Sequence, residues 1–201
     1  MSLFTSSYRA VGLSVVSLVL LVAALKAWAY ESQPLTQCGQ VLEGTYYLTG
    51  DLDCTGVPGH GVDLTSRRSR LELRGFTLSN ASAAGVQCGQ SCAIVGPGTI
   101  SGSGIDGVRV GRKATIVGVT IVDNGARGVD AEDNGDRGRA IVENSHIEGN
   151  KVGVRGDKRV ALIDSVVINN TDAGVVVDCA HGKTKVENST VQGNGINFTC
   201  D

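Results

Sequence analysis

Residues 107–129 read GVRVGRKATIVGVTIVDNGARGV, and this stretch begins and ends on a Gly-Val step. The same step recurs along the chain at intervals of 21 to 25 residues, with Ile in place of Val in the last copy. Its copies are Gly61-Val62, Gly85-Val86, Gly107-Val108, Gly128-Val129, Gly153-Val154, Gly174-Val175 and Gly195-Ile196. A period of this length indicates a solenoid, in which each unit buries its apolar face only against its neighbours.

Between the Gly-Val steps, each unit carries two further apolar positions five residues apart. The pairs are Leu73/Leu78, Val95/Ile100, Ile116/Ile121, Val142/Ile147, Ile163/Ile168 and Val186/Val191. Apolar and polar residues alternate with a period of two, as in residues 108–110, and this alternation predicts short strands. We therefore expect Leu73, Ile116, Ile121 and Ile163 to point into the core. A leucine-rich repeat is disfavoured, because its leucine pattern and its helical segment are missing.

Asparagine closes most of the units. The positions are Asn80, Asn124, Asn150, Asn170 and Asn194. Asparagine is the non-glycine residue that best tolerates the left-handed backbone conformation of a tight turn. We interpret these asparagines as turn residues, so each unit is predicted to run strand, turn, strand, turn.

The first 29 residues have the features of a signal peptide. Arg9 supplies a charged start, residues 11–25 are apolar, and residues 27–29 fit a small-x-small cleavage site. The alternative is an uncleaved anchor, but the apolar run is shorter than the roughly 20 residues of a spanning helix. We expect a mature chain that begins at Tyr30, without stable membrane insertion, and that is secreted, periplasmic or at the cell surface.

The remaining chain is predicted to form one domain, with residues 30–59 as an N-terminal capping segment and residues 60–201 as the rungs of the solenoid. Without Arg9 and Lys26, sixteen basic residues stand against twenty acidic ones, so the mature net charge is about −4. This charge gives no electrostatic footprint for nucleic acid. It is also unfavourable for a polyanionic substrate.

All six cysteines follow residue 29, and an even number suits an oxidising compartment. Six cysteines allow 15 pairings. Cys179 and Cys200 each stand five residues after a repeat glycine, so we expect them to stack on adjacent strands and form a disulfide. We further expect Cys38–Cys54 to close the N-terminal segment and Cys88–Cys92 to join the two sides of one turn.

Several phrases resemble the right-handed parallel β-helix proteins of the pectin-lyase-like group. Besides the Gly-Val steps, they are residues 38–40 (CGQ), 44–48 (GTYYL), 51–54 (DLDC), 118–121 (GVTI) and 188–191 (NSTV). The resemblance runs from Cys38 to the C-terminus. It implies an all-β, single-domain right-handed parallel β-helix of about six to seven rungs, preceded by the signal peptide. That architecture hosts lyases, hydrolases, adhesins and noncatalytic surface proteins, so function has to be argued from a site.

Two fragments resemble pieces of a polygalacturonase, namely Gly-His-Gly at residues 59–61 and Asn-Thr-Asp at residues 170–172. Their order is reversed relative to that family, and some five rungs separate them. At roughly 4.8 Å per rung they are too far apart for a pair of catalytic carboxylates. We interpret both fragments as turn residues.

Aligning the units on their glycines places one residue of each unit in an outward column: Asp63, Gln87, Arg109, Asp130, Arg155 and Val176. The resemblance implies that Arg109 or Arg155 could act as the base of a lyase, with Asp130 beside them and Asp106, Arg127, Asp157 and Lys158 at the flanks. The alternative is a ladder of opposite charges across stacked strands, in which each pair contributes about 0.2 to 1 kcal/mol.

The longest interval carries a dense group of carboxylates that could hold calcium. Asp130, Glu132, Asp133 and Asp136 are the candidate metal ligands. The pattern partly follows a calcium-binding loop, but Ile141 occupies the place of the bidentate Glu. A solvated loop, neutralised by its neighbouring arginines, is the alternative.

Two functions stay open at this point. The first is association with a carbohydrate polymer, by binding or by lyase chemistry with calcium as the cofactor. The second is a noncatalytic structural or adhesive surface module. The sequence carries few aromatic residues, which sugar sites commonly use, and it gives no sign of the oligomeric state.

Overall fold

The computed structural model describes residues 32–131, 138–180 and 182–200, which belong to one compact unit, Ser32–Asp201. The expected signal peptide, residues 1–29, lies outside the described residues. Strands and turns make up the described part of the chain, and no helix occurs in it. The prediction of an all-β fold is therefore confirmed.

The strands are short, with two to five residues each. In chain order they are β1 Gln33–Leu35, β2 Gln40–Leu42, β3 Thr45–Leu48, β4 Leu52–Asp53, β5 Val62–Leu64, β6 Ser69–Glu72, β7 Thr77–Ser79, β8 Val86–Cys88, β9 Ser91–Val95, β10 Thr99–Ser101, β11 Val108–Val110, β12 Lys113–Val117, β13 Thr120–Val122, β14 Arg127–Ala131, β15 Arg139–Glu143, β16 His146–Glu148, β17 Val152–Gly156, β18 Arg159–Ile163, β19 Val166–Ile168, β20 Ala173–Val177, β21 Lys183–Glu187, β22 Thr190–Gln192 and β23 Ile196–Cys200.

From β2 onward every third strand joins the same parallel sheet, which makes a β-solenoid with three faces. Sheet 1 has the order β1-β3-β6-β9-β12-β15-β18-β21. Sheet 2 has the order β4-β7-β10-β13-β16-β19-β22, and sheet 3 has the order β2-β5-β8-β11-β14-β17-β20-β23. The segment expected to cap the N-terminal end, residues 30–59, supplies β1 to β4 and so adds strands to all three sheets.

The core includes three long columns of apolar side chains, one from each sheet. Strand alternation points every second residue inward, and parallel pairing stacks these residues on one another. The columns are Leu71, Ile94, Ile116, Val142 and Leu162 in sheet 1; Leu78, Ile100, Ile121, Ile147 and Val167 in sheet 2; and Val62, Val86, Val108, Val129, Val154 and Val175 in sheet 3. All of these side chains are buried.

The recurrent glycine before each valine is explained by the approach of the next rung. A Cβ on Gly107 would lie 2.6 Å from the Ile121 side chain and 2.7 Å from the backbone oxygen of Gly128. A Cβ on Gly128 would meet Ile147 and the oxygen of Gly153 at 2.7 Å each. No side chain fits at these distances, so the glycine column lets sheets 2 and 3 close around the core.

Three of the apolar positions expected from the pattern are off by one residue. Leu73, Ile116 and Ile121 are buried as predicted, but Ile163 is only half-buried. The inward residues are Ile94, Leu162 and Val167, each one place before Val95, Ile163 and Ile168. These segments are apolar on both faces, so a period of two could not determine which residues point inward.

The last Gly-Val copy is also out of register. Ile196 pairs with Ala173, whereas Phe198 pairs with Val175 and so occupies the inward position. The backbone oxygen of Asn197 approaches Gly174, in the position that a glycine takes in the earlier rungs. The position predicted for the seventh Gly-Val step is therefore wrong by two residues: Asn197 and Phe198 take the places of the glycine and the valine.

The asparagines that end most units lie between strands, as expected, but most of them do not take the left-handed conformation. Asn80 has a positive φ of 58°, as expected, but Asn124, Asn150 and Asn170 do not, and their side chains are buried. They stack as a ladder in which each Nδ2 donates to the Oδ1 of the next asparagine, at 3.0 Å from Asn124 and 3.1 Å from Asn150. The ladder continues at 2.8 Å from Asn170 to Asn194.

The same Oδ1 atoms also accept backbone hydrogen bonds, from Asn124 N to Asn150 and from Asn150 N to Asn170, at 3.1 Å each. Backbone N–H groups in the turn between sheets 2 and 3 thus donate to side-chain acceptors of the neighbouring rung. A buried polar group without such partners would cost about 1 to 3 kcal/mol.

Three disulfides join the cysteine pairs that the sequence predicts: Cys38–Cys54, Cys88–Cys92 and Cys179–Cys200. No free cysteine is present among the described residues. The stacking argument for the last pair was nevertheless inexact, because Cys200 pairs with Val177 in the sheet and reaches Cys179 in the following turn. Three disulfides point to an extracellular or otherwise oxidising compartment.

Candidate functional site

The structure brings together the three residues proposed for catalysis. Arg109 pairs with Asp130 and Asp130 pairs with Arg155 on the adjacent strands β11, β14 and β17. We call these three residues, together with Asp106 and Arg127, the ion-pair cluster. The roles of Arg109, Arg155 and Asp130 in catalysis stay predictions.

The ion-pair cluster is built around two buried carboxylates. The side chain of Asp106 is 0% exposed and that of Asp130 is 2% exposed. Arg127 bridges them, because its Nη1 lies 3.4 Å from Asp130 Oδ2 and 3.7 Å from Asp106 Oδ1. Arg109 approaches from the solvent side, with its Nε 4.0 Å from Asp106 Oδ2. Asp130 therefore stands in the outward column but is covered by its neighbours.

Burial raises the pKa of the Asp106 carboxyl, and the charges of Arg127 and Arg109 oppose this rise. Asp106 Oδ1 also accepts a hydrogen bond from the backbone N–H of Arg127 at 3.3 Å. A lyase base would have to lose a proton, whereas nearby carboxylates stabilise the protonated guanidinium. This geometry favours ion pairing over proton abstraction by Arg109.

The calcium hypothesis concerns residues that mostly lie outside the described part of the chain. Glu132, Asp133 and Asp136 belong to residues 132–137, which lie outside the described residues, and only Asp130 is described. Its carboxylate faces the Arg127 cation, which competes with a metal ion. Within the described residues, no group of three His, Cys, Asp or Glu side chains could hold a metal.

A second surface was not anticipated from the sequence. A groove of about 520 Å³ opens where sheet 3 turns into sheet 1, and Arg67, Ser91, Arg112, Lys113 and Arg139 line it. We call it the basic groove. Its described lining contains four cations and no carboxylate.

The basic groove continues into a row of cations along sheet 1. Lys113 pairs with Arg139, Arg139 with Arg159, and Arg159 with Lys183. We call these four residues the basic ladder. All four are exposed, and none forms a salt bridge within the described part of the chain. With strands about 4.8 Å apart, the ladder spans about 14 Å.

The basic ladder does leave a signal in the sequence. Each of its residues stands three places before an inward residue of sheet 1, as Lys113 does before Ile116 and Arg159 before Leu162. The signal is hidden when units are aligned on their glycines, because the number of residues between the sheet 3 strand and the sheet 1 strand differs from rung to rung. Two residues separate β11 from β12, but seven separate β14 from β15.

The fragments that resemble a polygalacturonase have structural roles. His60 Nδ1 accepts a hydrogen bond from the backbone N–H of Ala84 at 3.2 Å, and Asn170 is part of the asparagine ladder. Both fragments also lie between strands, where turn residues are expected.

Comparison with known proteins places the fold in a family. No curated protein and no solved structure matches the chain. Among the described residues, no helix is long and apolar enough to cross a membrane. The family model described as a right-handed β-helix region matches residues 60–200, and at the level of the family it suggests a carbohydrate-related or surface protein. Because this match covers well over half of the chain, the protein belongs to the right-handed β-helix family.

Proposed function

We propose that the protein is a noncatalytic module that binds an extended acidic polysaccharide along the basic groove and the basic ladder. The observation that carries this proposal is the row of exposed cations in register, beginning at Lys113 and Arg139, in a groove whose described lining holds no carboxylate. The polymer would lie along the solenoid axis and meet one cation per rung.

The arrangement is costly for the protein alone. Like charges directly opposite each other on neighbouring strands are destabilising. The basic ladder contains three such contacts, from Lys113 to Lys183. A bound chain of carboxylates or sulfates would replace this repulsion by attraction, so binding gains from the same feature that weakens the free protein.

The net negative charge of the chain does not oppose this proposal. Charges separated by more than about 8 to 10 Å are largely screened at physiological ionic strength. A bound polymer therefore responds to the cations within that distance. Our expectation that a polyanion is unfavourable considered only the total charge and not its distribution over the surface.

This geometry supports binding better than it supports lyase chemistry. The arginines expected to act as bases belong to the ion-pair cluster, where Asp106 and Asp130 hold Arg127 within 3.4 to 3.7 Å. The basic groove offers charged donors and the Ser91 hydroxyl but no described carboxylate that could act as a general acid or base.

The test is calorimetric titration of the protein with polygalacturonate, a sulfated glycosaminoglycan and neutral dextran. We expect saturable binding of an acidic polymer that weakens steeply with added salt, and no binding of dextran. The Lys113→Glu/Arg139→Glu variant should lose at least tenfold in affinity. Lys151→Glu is the matched control, because Lys151 is an exposed cation before β17, outside the groove lining, and should bind as the parent does.

Two results would reject the proposal. One is equal affinity for dextran and the acidic polymers, and the other is unchanged binding by the double variant. Single-stranded DNA bound as tightly as the glycans would indicate general cation exchange rather than recognition of a polysaccharide. Release of unsaturated sugar ends, seen as rising ultraviolet absorbance and abolished by Arg109→Ala or Arg155→Ala, would instead support the lyase.

A further inference from the structure

The C-terminal end of the solenoid presents an open apolar face. The outer edges of β21, β22 and β23 have no strand partner among the described residues. Val186 is 42% exposed, Ile196 is 56% exposed and Phe198 is 49% exposed. Val186 and Phe198 stand in register with Leu162 and Val175, which are completely or almost completely buried one rung earlier.

Such a face has the composition of a core and the hydrogen-bonding groups of a sheet edge. Exposed apolar patches and unpaired strand edges are both sites of association in proteins. We call the strands β21 to β23 with their inward side chains the end face. The Cys179–Cys200 disulfide ties the turn after β20 to β23, so this strand of the end face is restrained before any partner arrives.

The charges on β21 are self-complementary. If two copies of β21 pair antiparallel about Val186, then Lys185 of each copy lies opposite Glu187 of the other. The two Val186 side chains meet at the symmetry axis on the inward side. Opposite charges and apolar pairs that face each other across strands both stabilise pairing.

We propose that the end face binds a second copy of this chain and forms a two-fold symmetric dimer, end to end. A two-fold axis uses the same surface on both copies, which requires the self-complementarity that β21 has. The two solenoids then share a continuous sheet across the axis, and Ile196 and Phe198 become buried. This inference does not depend on the proposed polysaccharide binding.

A head-to-tail arrangement fits the structure less well. The inward residues near the other end of the solenoid, Leu35, Leu42 and Leu48, are no more than 4% exposed. Among the residues that the structure describes there, that end therefore offers no open apolar face to receive the end face. Head-to-tail contacts would also continue into filaments, whereas two-fold contacts close after two copies.

The first test is sedimentation velocity over a concentration series. We expect the protein to sediment with twice the mass of one chain and the Phe198→Asp variant to sediment as a monomer. Val41→Asp is the matched control, because Val41 is an exposed valine in β2, away from the end face, and should leave the dimer intact. Circular dichroism checks that each variant is folded.

The second test uses charge exchange between chains. Lys185→Glu alone and Glu187→Lys alone place like charges across the axis, so each variant should dimerise at least tenfold more weakly. A mixture of the two variants restores both opposite pairs and should form a mixed dimer with parental affinity. An effect confined to the Lys185–Glu187 ion pair within one chain could not be rescued by mixing.

The outcomes decide the proposal. Phe198→Asp as a monomer, together with rescue in the mixture, supports it. A parent protein that is monomeric at every concentration overturns it, as do filaments or a dimer unaffected by Phe198→Asp. If the parent is a dimer and the Lys113→Glu/Arg139→Glu variant loses polysaccharide binding, both proposals are supported. If the parent is a dimer but does not bind polysaccharide, only the proposed function is rejected.

Discussion

Replacing Asn150 by alanine interrupts the asparagine ladder at its most buried point. Asn150 is 0% exposed, and its Oδ1 accepts hydrogen bonds from the backbone N–H of Asn124 at 3.1 Å and from Asn124 Nδ2 at 3.0 Å. Its own Nδ2 donates to Asn170 Oδ1 and to the backbone oxygen of Glu148. The substitution removes all of these contacts at once.

The loss can be worked from the groups that remain. Asn170 Oδ1 keeps the hydrogen bond from the backbone N–H of residue 150, and the oxygen of Glu148 keeps one from Asp123. The backbone N–H and the Nδ2 group of Asn124 lose the acceptor that they share. At about 1 to 3 kcal/mol for each unsatisfied buried donor, Asn150→Ala should cost about 2 to 6 kcal/mol. That is a large share of the 5 to 15 kcal/mol typical of a folded domain.

The assay is urea unfolding followed by circular dichroism, with the free energy of unfolding compared between variants of equal m-value. Asn194→Ala is the matched control at the open end of the same ladder, because Asn194 is only half-buried and its truncation opens the Asn170 groups to water. It should cost well under half as much. If Asn150→Ala costs less than about 1 kcal/mol, or no more than Asn194→Ala, the ladder does not hold the rungs together.

Three further predictions follow from the core and the ion-pair cluster. Gly107→Ala should lower the free energy of unfolding by about 1 to 3 kcal/mol in urea titrations, because its Cβ would overlap the Ile121 side chain, whereas Gly50→Ala meets no atom within 4 Å and should be neutral. Ile121→Asp should abolish the cooperative melt in calorimetry, since it buries an unpaired charge, and a parental melting temperature would contradict the register. The raised pKa of Asp106 means that the folded state holds its proton more tightly than the unfolded state, so acidification below neutral should stabilise the parent relative to Asp106→Asn. A stability difference that is flat with pH, or that changes in the opposite direction, would argue against this assignment.

Periodicity predicted the architecture because each unit repeats the same local chemistry. A glycine such as Gly107, followed by a valine, recurs in most rungs because the same close approach recurs there, and this recurrence shows that rungs stack. Periodicity did not predict which of two adjacent apolar residues points into the core. Leu162 and Ile163 are equally apolar, so only the pairing of β15 with β18 shows which one points inward.

The asparagines show a different limit of sequence reasoning. Asn80 and Asn150 have the same identity and nearly the same place in the repeat, but Asn80 is exposed and has a positive φ, whereas Asn150 is buried in the ladder. The basic groove was missed for a third reason. Its cations align because β15 pairs in register with β12 although more residues precede β15, and an alignment on glycines does not represent this difference in length.

The asparagine ladder has a consequence for how such a chain can change in length. Seven residues separate β14 from β15, where two separate β11 from β12, yet Lys113 and Arg139 still pair in register. Side-chain hydrogen bonds at the turn between sheets 2 and 3 fix the position of each rung relative to the one before it. Extra residues between a strand of sheet 3 and the next strand of sheet 1 therefore do not change the register of the following rungs. This corner is where the molecule can gain new loops without altering the rest of the solenoid.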